Sequence, residues 1–272
     1  MPDLKPLIFL LSMTFLAGNA GAQVQLEGDL SQGGLLIGTA PPGSKVSVND
    51  QSLMVAKNGQ FLIGFSRDTL GPYQLSVRLP DEQIWEKELT PVARDFAIQR
   101  IDGLPADKVT PQPAVMARIR EEANMARQAR TRRDARTDWD QGFVQPVSGR
   151  VTGVYGSQRI LNGEPRAPHW GVDIAAPTGT PVVAPAAGIV TLVHDDMYFS
   201  GGTLFLDHGH GLISAFLHFE DILVETGDRV EQGQTIGLVG ATGRATGPHL
   251  DWRISLGDIR IDPVLLLDEP LK

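Results

Sequence analysis

Between about Val24 and Leu104, short runs of alternating apolar and polar residues are separated by turn signals. Lys45-Val46-Ser47-Val48 and Tyr73-Gln74-Leu75-Ser76-Val77 have the period of two expected of half-buried strands. Gly33-Gly34, Pro41-Pro42-Gly43, Asn49-Asp50, Asn58-Gly59 and Gly71-Pro72 punctuate them, and strands this short with turns this regular predict a small β-sandwich. The segment has no histidine and no cluster of titratable residues, which suits a spacer or binding module. After Pro105, Pro111 and Pro113 the pattern changes: Ala114 to about Arg136 is rich in Ala, Arg, Glu and Met without internal Gly or Pro, and predicts one helix. Val115, Ile119 and Ala126, with Met116 and Met125 nearby, form a narrow apolar stripe that would pack on a neighbouring domain or lay the helix over a groove. From Phe143 to Pro263 the chain returns to strand runs and Gly/Pro turns. There, 179–184 and 188–193 are expected to be antiparallel strands with tight connections. The expected organisation is mainly β, in four parts: a leader over 1–22, a β-sandwich-like unit over 23–104, a linker and helix over 105–142, and an antiparallel β domain over 143–272.

The leader is expected because Lys5 precedes an apolar run from Leu7 to Ala17, and Ala20-Gly21-Ala22 offers the small residues of a signal-peptidase site. The run is shorter than the ~20 residues of a membrane-spanning helix, and no later segment approaches that length, so no membrane span is expected in the mature chain. Export follows, with the periplasm favoured because no wall-anchoring motif or repeated wall-binding module is evident.

Composition narrows the chemistry. The 272 residues are 42% hydrophobic and 21% charged, with a formal net charge of -8, so a nucleic-acid partner is not expected. Basic residues cluster from Arg118 to Arg136, where a solvated helix face is expected. There is no cysteine, which excludes disulfides, thiol catalysis and thiolate metal sites. Any metal must be held by histidines and carboxylates.

All six histidines lie in the C-terminal β region. Three segments stand out: Pro168-His169-Trp170-Gly171-Val172-Asp173-Ile174, Ala215-Phe216-Leu217-His218-Phe219, and Gly247-Pro248-His249-Leu250-Asp251-Trp252. In extended backbone His169 and Asp173 share a face, as do His249 and Asp251, while Val172 and Leu250 face the core. Imidazoles and carboxylates converging on one face are what a hydrolytic zinc site requires: three protein ligands, an open position, and nearby groups to move protons.

The order of these motifs resembles the lysostaphin-type (LytM-like) zinc metallopeptidases, which cut peptidoglycan. The resemblance runs from about Pro146 to Pro263. It is carried by His169-Trp-Gly-Val-Asp173 with Ile174-Ala-Ala-Pro-Thr-Gly-Thr-Pro-Val182, Asp207-His208-Gly209, Phe216-Leu217-His218, Gly227 to Gly237, and Thr242-Gly-Arg-Ala-Thr-Gly-Pro-His249-Leu250. It implies a largely antiparallel β fold, a groove for a cell-wall peptide and one Zn²⁺ ion. Position by position, His169 and Asp173 correspond to zinc ligands, and His218 and His249 to catalytic histidines. His249 is the first member of a His-x-His pair whose second member, the last zinc ligand, is replaced here by Asp251.

Two readings of Asp251 stay open. A carboxylate oxygen and an imidazole Nδ1 are each one bond beyond Cγ, so Asp251 can still reach a metal, although two carboxylate ligands would formally cancel the charge of Zn²⁺ and weaken it as a Lewis acid. Alternatively the site is degenerate, and the domain acts as a regulator of a separate cell-wall amidase or as a wall-binding module. The expected function is a zinc-dependent endopeptidase acting on peptidoglycan, with His169, Asp173 and Asp251 as metal ligands. Of the remaining histidines, His208 is expected to be structural, His194 and His210 to be exposed loop residues, and Trp170 and Trp252 to pack around the ligands.

Overall fold

The computed structural model describes residues 24–104 and 109–271, so the expected leader lies outside the described residues. Seven strands form the N-terminal unit: β1 (Gln25–Gly28), β2 (Leu35–Thr39), β3 (Lys45–Val48), β4 (Gln51–Ser52), β5 (Gln60–Gly64), β6 (Tyr73–Arg78) and β7 (Ile84–Leu89). They make two antiparallel sheets, β1-β2-β5 and β4-β3-β6-β7. Phe61, Ile63, Leu36, Val46, Leu75 and Val77 fill the space between the sheets.

The run Phe61-Leu62-Ile63 is apolar without alternation because β5 is buried on both faces. Phe61 and Ile63 point into the sandwich, whereas Leu62, with Leu35 of β2, joins the core of the C-terminal domain. Gly64 keeps this contact close, since a Cβ there would lie 3.0 Å from Ile261 Cδ1.

Next come β8 (Ile98–Ile101), a 3-10 turn over Pro113–Val115, and helix α1 (Met116–Gln128). β8 runs parallel to β10 (Gln158–Leu161), which also pairs with β11 (Glu164–Pro165). The helix is shorter than the expected Ala114 to Arg136. Beyond Gln128 the chain turns, and Arg132 and Arg136 reach the buried carboxylate of Asp207 at 3.1 and 2.6 Å. The basic cluster is therefore not a simple solvated face: Arg118 pairs with Glu122 and Asp196, and Arg136 with Asp134, Asp138 and Asp207. The expected stripe of Val115, Ile119 and Ala126 is half-buried. Ala126 and Ala129 pack on Phe205, Ala215 and Leu217 of the large sheet.

That sheet contains β9 (Arg150–Gly153), β12 (Gly171–Ala175), β13 (Pro181–Val183), β14 (Gly188–Met197), β15 (Gly201–Asp207), β16 (Leu212–Ile222), β17 (Arg229–Val230), β18 (Thr235–Val239), β19 (His249–Leu256) and β20 (Ile259–Ile261). Its path is β17-β14-β15-β16-β19-β12-β9, antiparallel throughout. The segments 179–184 and 188–193 do contain strands, but not a hairpin: β13 pairs with β18, and β14 with β15 and β17. One face of the sheet carries the main core, including Val172, Ile174, Phe216, Phe219, Leu250 and Trp252. The other face holds the polar residues of interest and the seat of α1.

Candidate metal centre and active-site groove

The central strands β16, β19 and β12 place the expected site residues by register. Asp173 pairs directly with Asp251, Ala175 with His249, and Leu217 with Asp251. Val172 and Leu250 are fully buried on the opposite face, as alternation requires. His169 precedes β12, held by backbone hydrogen bonds in which its N–H donates to Ser157 O and its carbonyl accepts from Gly156 N–H. Its Nε2 lies 3.0 Å from Asp173 Oδ1 and 3.5 Å from Asp251 Oδ2.

One ligand atom from each of His169, Asp173 and Asp251 falls within 4.8 Å of the others, and all three side chains are buried. His169 Nε2 and Asp173 Oδ1 are buried and make no aligned hydrogen bond. Orphaned buried donor atoms that face one another are costly unless a further group satisfies them, and this set of one imidazole and two carboxylates fits a divalent metal such as zinc.

His218 and His249 stand beside this cluster, ring centroids 4.7 Å apart. His218 Nδ1 lies 2.8 Å from Thr242 O, and His249 Nδ1 lies 2.8 Å from Gly247 O. A carbonyl only accepts, so each Nδ1 carries the proton and each Nε2 is left with its lone pair. His249 Nε2 is 3.9 Å from Asp173 Oδ1. Burial pushes the His218 imidazole down to about 4, with the charge of Asp251 opposing it, which keeps the ring neutral near pH 7.

The presence of His218 in the groove depends on a local irregularity. Its φ is 69°, and the β15/β16 register shifts between Gly202 and Leu204. The two consecutive residues Leu217 and His218 therefore both line the groove, which regular alternation forbids. A left-handed non-glycine residue in a strand is the kind of backbone strain that collects at functional sites.

Two arginines that sequence reasoning missed complete the electrostatics. Arg159 Nη2 donates to Asp173 Oδ2 at 2.6 Å. Arg253 grips Asp251 with two bonds, Nε to Oδ1 at 2.9 Å and Nη2 to Oδ2 at 2.6 Å. Burial acts to raise the Asp251 carboxyl, but Arg253 and His169 overcome it and hold it well below the usual range. Asp173 is also lowered, because His169 and Arg159 outweigh burial and the like charge of Asp251. His169 is raised: burial opposes its charge, and the two aspartates prevail.

Arg253 had a sequence signal, since it lies two residues after Asp251 on the same strand face among the apolar positions Leu250, Trp252 and Ile254. Arg159 had none, because it arrives from β10.

His208 is a core residue as expected, with Nδ1 donating to Ala187 O at 2.7 Å and Nε2 2.8 Å from Ser214 Oγ. His194 is not in a loop but half-buried within β14. His210 is not exposed either: it is 5% accessible and packs edge-on against Trp139. Trp252 is a core residue whose indole N–H donates to Ser214 Oγ at 3.3 Å, and Trp170 lies near Tyr155.

Comparison with known proteins places this geometry. The Peptidase family M23 profile matches residues 167–263. A crystal structure assigned as a peptidase M23 from Pseudomonas aeruginosa is 31% identical, with a TM-score of 0.67 over 88% of this chain and 95% of that one. The chain belongs to peptidase family M23. Curated M23-type relatives include two from Vibrio cholerae. Peptidoglycan DD-endopeptidase ShyC is 39% identical over 116 residues, 42% of this chain and 26% of that protein. Peptidoglycan DD-endopeptidase ShyA is 43% identical over 88 residues, 32% of this chain and 20% of that protein. The match thus spans about a quarter or less of these relatives' length. Among the described residues, no helix is long and apolar enough to cross a membrane.

Proposed function

We propose that this M23 protein is a zinc-dependent endopeptidase of the cell envelope, exported to the periplasm, that hydrolyses peptide bonds in peptidoglycan. The observation that carries this reading is the convergence of His169 Nε2, Asp173 Oδ1 and Asp251 on one point, the first two buried without aligned partners. The relatives named as peptidoglycan DD-endopeptidases support the substrate class.

A zinc ion held by His169, Asp173 and Asp251 would supply Lewis-acid activation of water and of the scissile carbonyl. The arginines answer the charge objection to a two-carboxylate ligand set. With Arg253 on Asp251 and Arg159 on Asp173, the cluster's negative charge is offset from outside, so zinc need not be neutralised by its own ligands. His218 Nε2 offers a lone pair to accept the proton of the attacking water. His249, once protonated, donates from Nε2 to the developing oxyanion or the leaving amine.

The bidentate grip of Arg253 on Asp251 also favours a second reading, in which guanidinium stands where a metal would otherwise balance the charge. The domain would then regulate a separate cell-wall amidase without cutting. The chain is loaded with one equivalent of zinc, desalted and assayed for metal and for muropeptide release from sacculi. Retention of about one zinc with release of muropeptides is the expected result. No retained zinc and no release, with stimulation of an added amidase, overturns the endopeptidase reading.

A further inference from the structure

Beside the metal centre, α1, β15 and β16 enclose a cavity of about 280 Å³ whose wall includes four arginines from separate parts of the chain. Arg130 follows α1, Arg159 lies on β10, Arg244 in the loop between β18 and β19, and Arg253 on β19. His218 and Asp251 line the same cavity, so it opens onto the site described above. We propose that this cavity is a subsite for a carboxylate of the peptide substrate, held by Arg130 next to the scissile bond. The proposal rests on the endopeptidase reading for its substrate class and deepens it.

Charge is the first argument. The chain has a net charge of -8, yet the only acid lining this cavity is Asp251, whose two oxygens both accept from Arg253. Arg159 is engaged with Asp173. Arg130 enters no ion pair among the described residues. Its Nη1 donates to Ala126 O at 2.8 Å, its guanidinium lies 4.5 Å from the centroid of Phe205, and its Nε is buried without a partner. Burial, followed by the repulsion of Arg260 and Arg253, pulls the Arg130 guanidinium down to about 9 against the attraction of Asp258.

Shape and chemistry select the anion. The floor is apolar, formed by Phe205, Ala215 and Leu217, and guanidinium forks match a planar carboxylate with two parallel bonds. A cavity of this volume takes one side chain or one chain terminus. Two sources share that chemistry: the terminal carboxylate of a stem peptide, and a side-chain carboxylate adjacent to the cleaved bond.

The test is fluorescence anisotropy with a fluorescein-labelled peptidoglycan stem peptide and the EDTA-treated full chain, so that binding is read without turnover. The peptide is used as the free acid, with its terminal carboxylate amidated, with its side-chain carboxylate amidated, and with both amidated. One single amidation is expected to weaken binding roughly tenfold, and whichever does so identifies the source. Arg130→Gln is expected to weaken the free acid to a similar degree and to abolish discrimination, while Arg130→Lys restores part of both. Equal binding of the free acid and the doubly amidated peptide overturns the proposal, as does undiminished discrimination in Arg130→Gln or failure of every peptide to bind. The zinc-loaded chain is then assayed for cleavage of the free acid. Discrimination in binding with no cleavage overturns the endopeptidase reading and leaves the carboxylate subsite standing.

Discussion

Asp173 and Asp251 stand directly opposite one another across the β12/β19 ladder. Like charges in that relationship repel, and both side chains are buried. The structure answers with two guanidiniums, Arg159 on Asp173 and Arg253 on Asp251, and with the imidazole of His169 between the two carboxylates. Removing Arg253 leaves a buried, uncompensated carboxylate, so Arg253→Gln is expected to cost about 3 kcal/mol of stability in metal-free protein. Zinc should restore much of that loss by replacing the missing positive charge. Urea unfolding with zinc and with EDTA measures both; a loss that zinc does not change would mean that Asp251 never meets the metal.

The ligand role of Asp251 has a direct test in Asp251→Ala and Asp251→His. After one equivalent of zinc and desalting, wild type and the His variant are expected to retain metal and the Ala variant to lose it. Retention by the His variant alone would show that the natural aspartate does not bind zinc.

Gly153 pairs with Asp173 on the neighbouring strand β9, and a Cβ at Gly153 would fall 2.2 Å from Asp173 Oδ2. Gly153→Ala must therefore displace the carboxylate from both Arg159 and the metal position. The expected outcome is a loss of zinc affinity of about ten- to a hundredfold, comparable to the loss of a group that orients a ligand. Competition against a chromogenic chelator reads this, and unchanged affinity would place Asp173 outside the ligand set.

These relationships show where the sequence was informative. Even spacing puts His249 and Asp251 on one face and Leu250 on the other, because a strand's period is fixed at two by its backbone. The same rule misleads at His218, where a left-handed φ adds one residue to the groove face. That irregularity is set by the pairing of Phe219 with Gly202 and by the His218 N–H bond to Ser200 O, contacts between strands that alternation within β16 alone does not reveal. Arg159 belongs to the same class, as its partner Asp173 is met only through the tertiary fold. The apolar run at Phe61-Leu62-Ile63 forms a strand buried on both faces. That its second face meets another domain depends on Leu256, Ile259 and Ile261, nearly 200 residues away in sequence. His210, expected to be an exposed loop residue, is instead covered by Trp139.

Stability should depend on pH through His208. Burial pushes this imidazole down to about 4, below its unfolded value of roughly 6.5. The unfolded chain then binds the proton more tightly, so the contribution is complete above about pH 6.5 and is lost as pH falls toward 4. His218 is lowered in the same direction. For His208 alone the loss is on the order of 3 kcal/mol. Denaturant unfolding of EDTA-treated protein at pH 7 and pH 5 should show wild type weakened at the lower pH and His208→Gln less so. An equal pH dependence in both would remove His208 as the source.

Helix α1 is pinned beside the groove by a buried acid. Glu122 Oε1 accepts from Arg118 Nε at 2.6 Å, and Oε2 accepts from the Tyr198 N–H at 2.8 Å. Glu122→Ala removes this acceptor from the buried amide, at a cost of about 1–3 kcal/mol. It also weakens the tie between the helix and the end of β14, which Arg118 still holds through Asp196. Because Ala126 and Ala129 still pack on Phe205, Ala215 and Leu217, the helix should loosen without being released. Hydrogen exchange is expected to accelerate at Tyr198 and along Met116–Gln128, while zinc affinity, set by strands β12 and β19, stays unchanged. Unaltered exchange in the helix would mean that the apolar contacts alone hold it, and a parallel loss of zinc would mean that the strap and the metal centre are coupled.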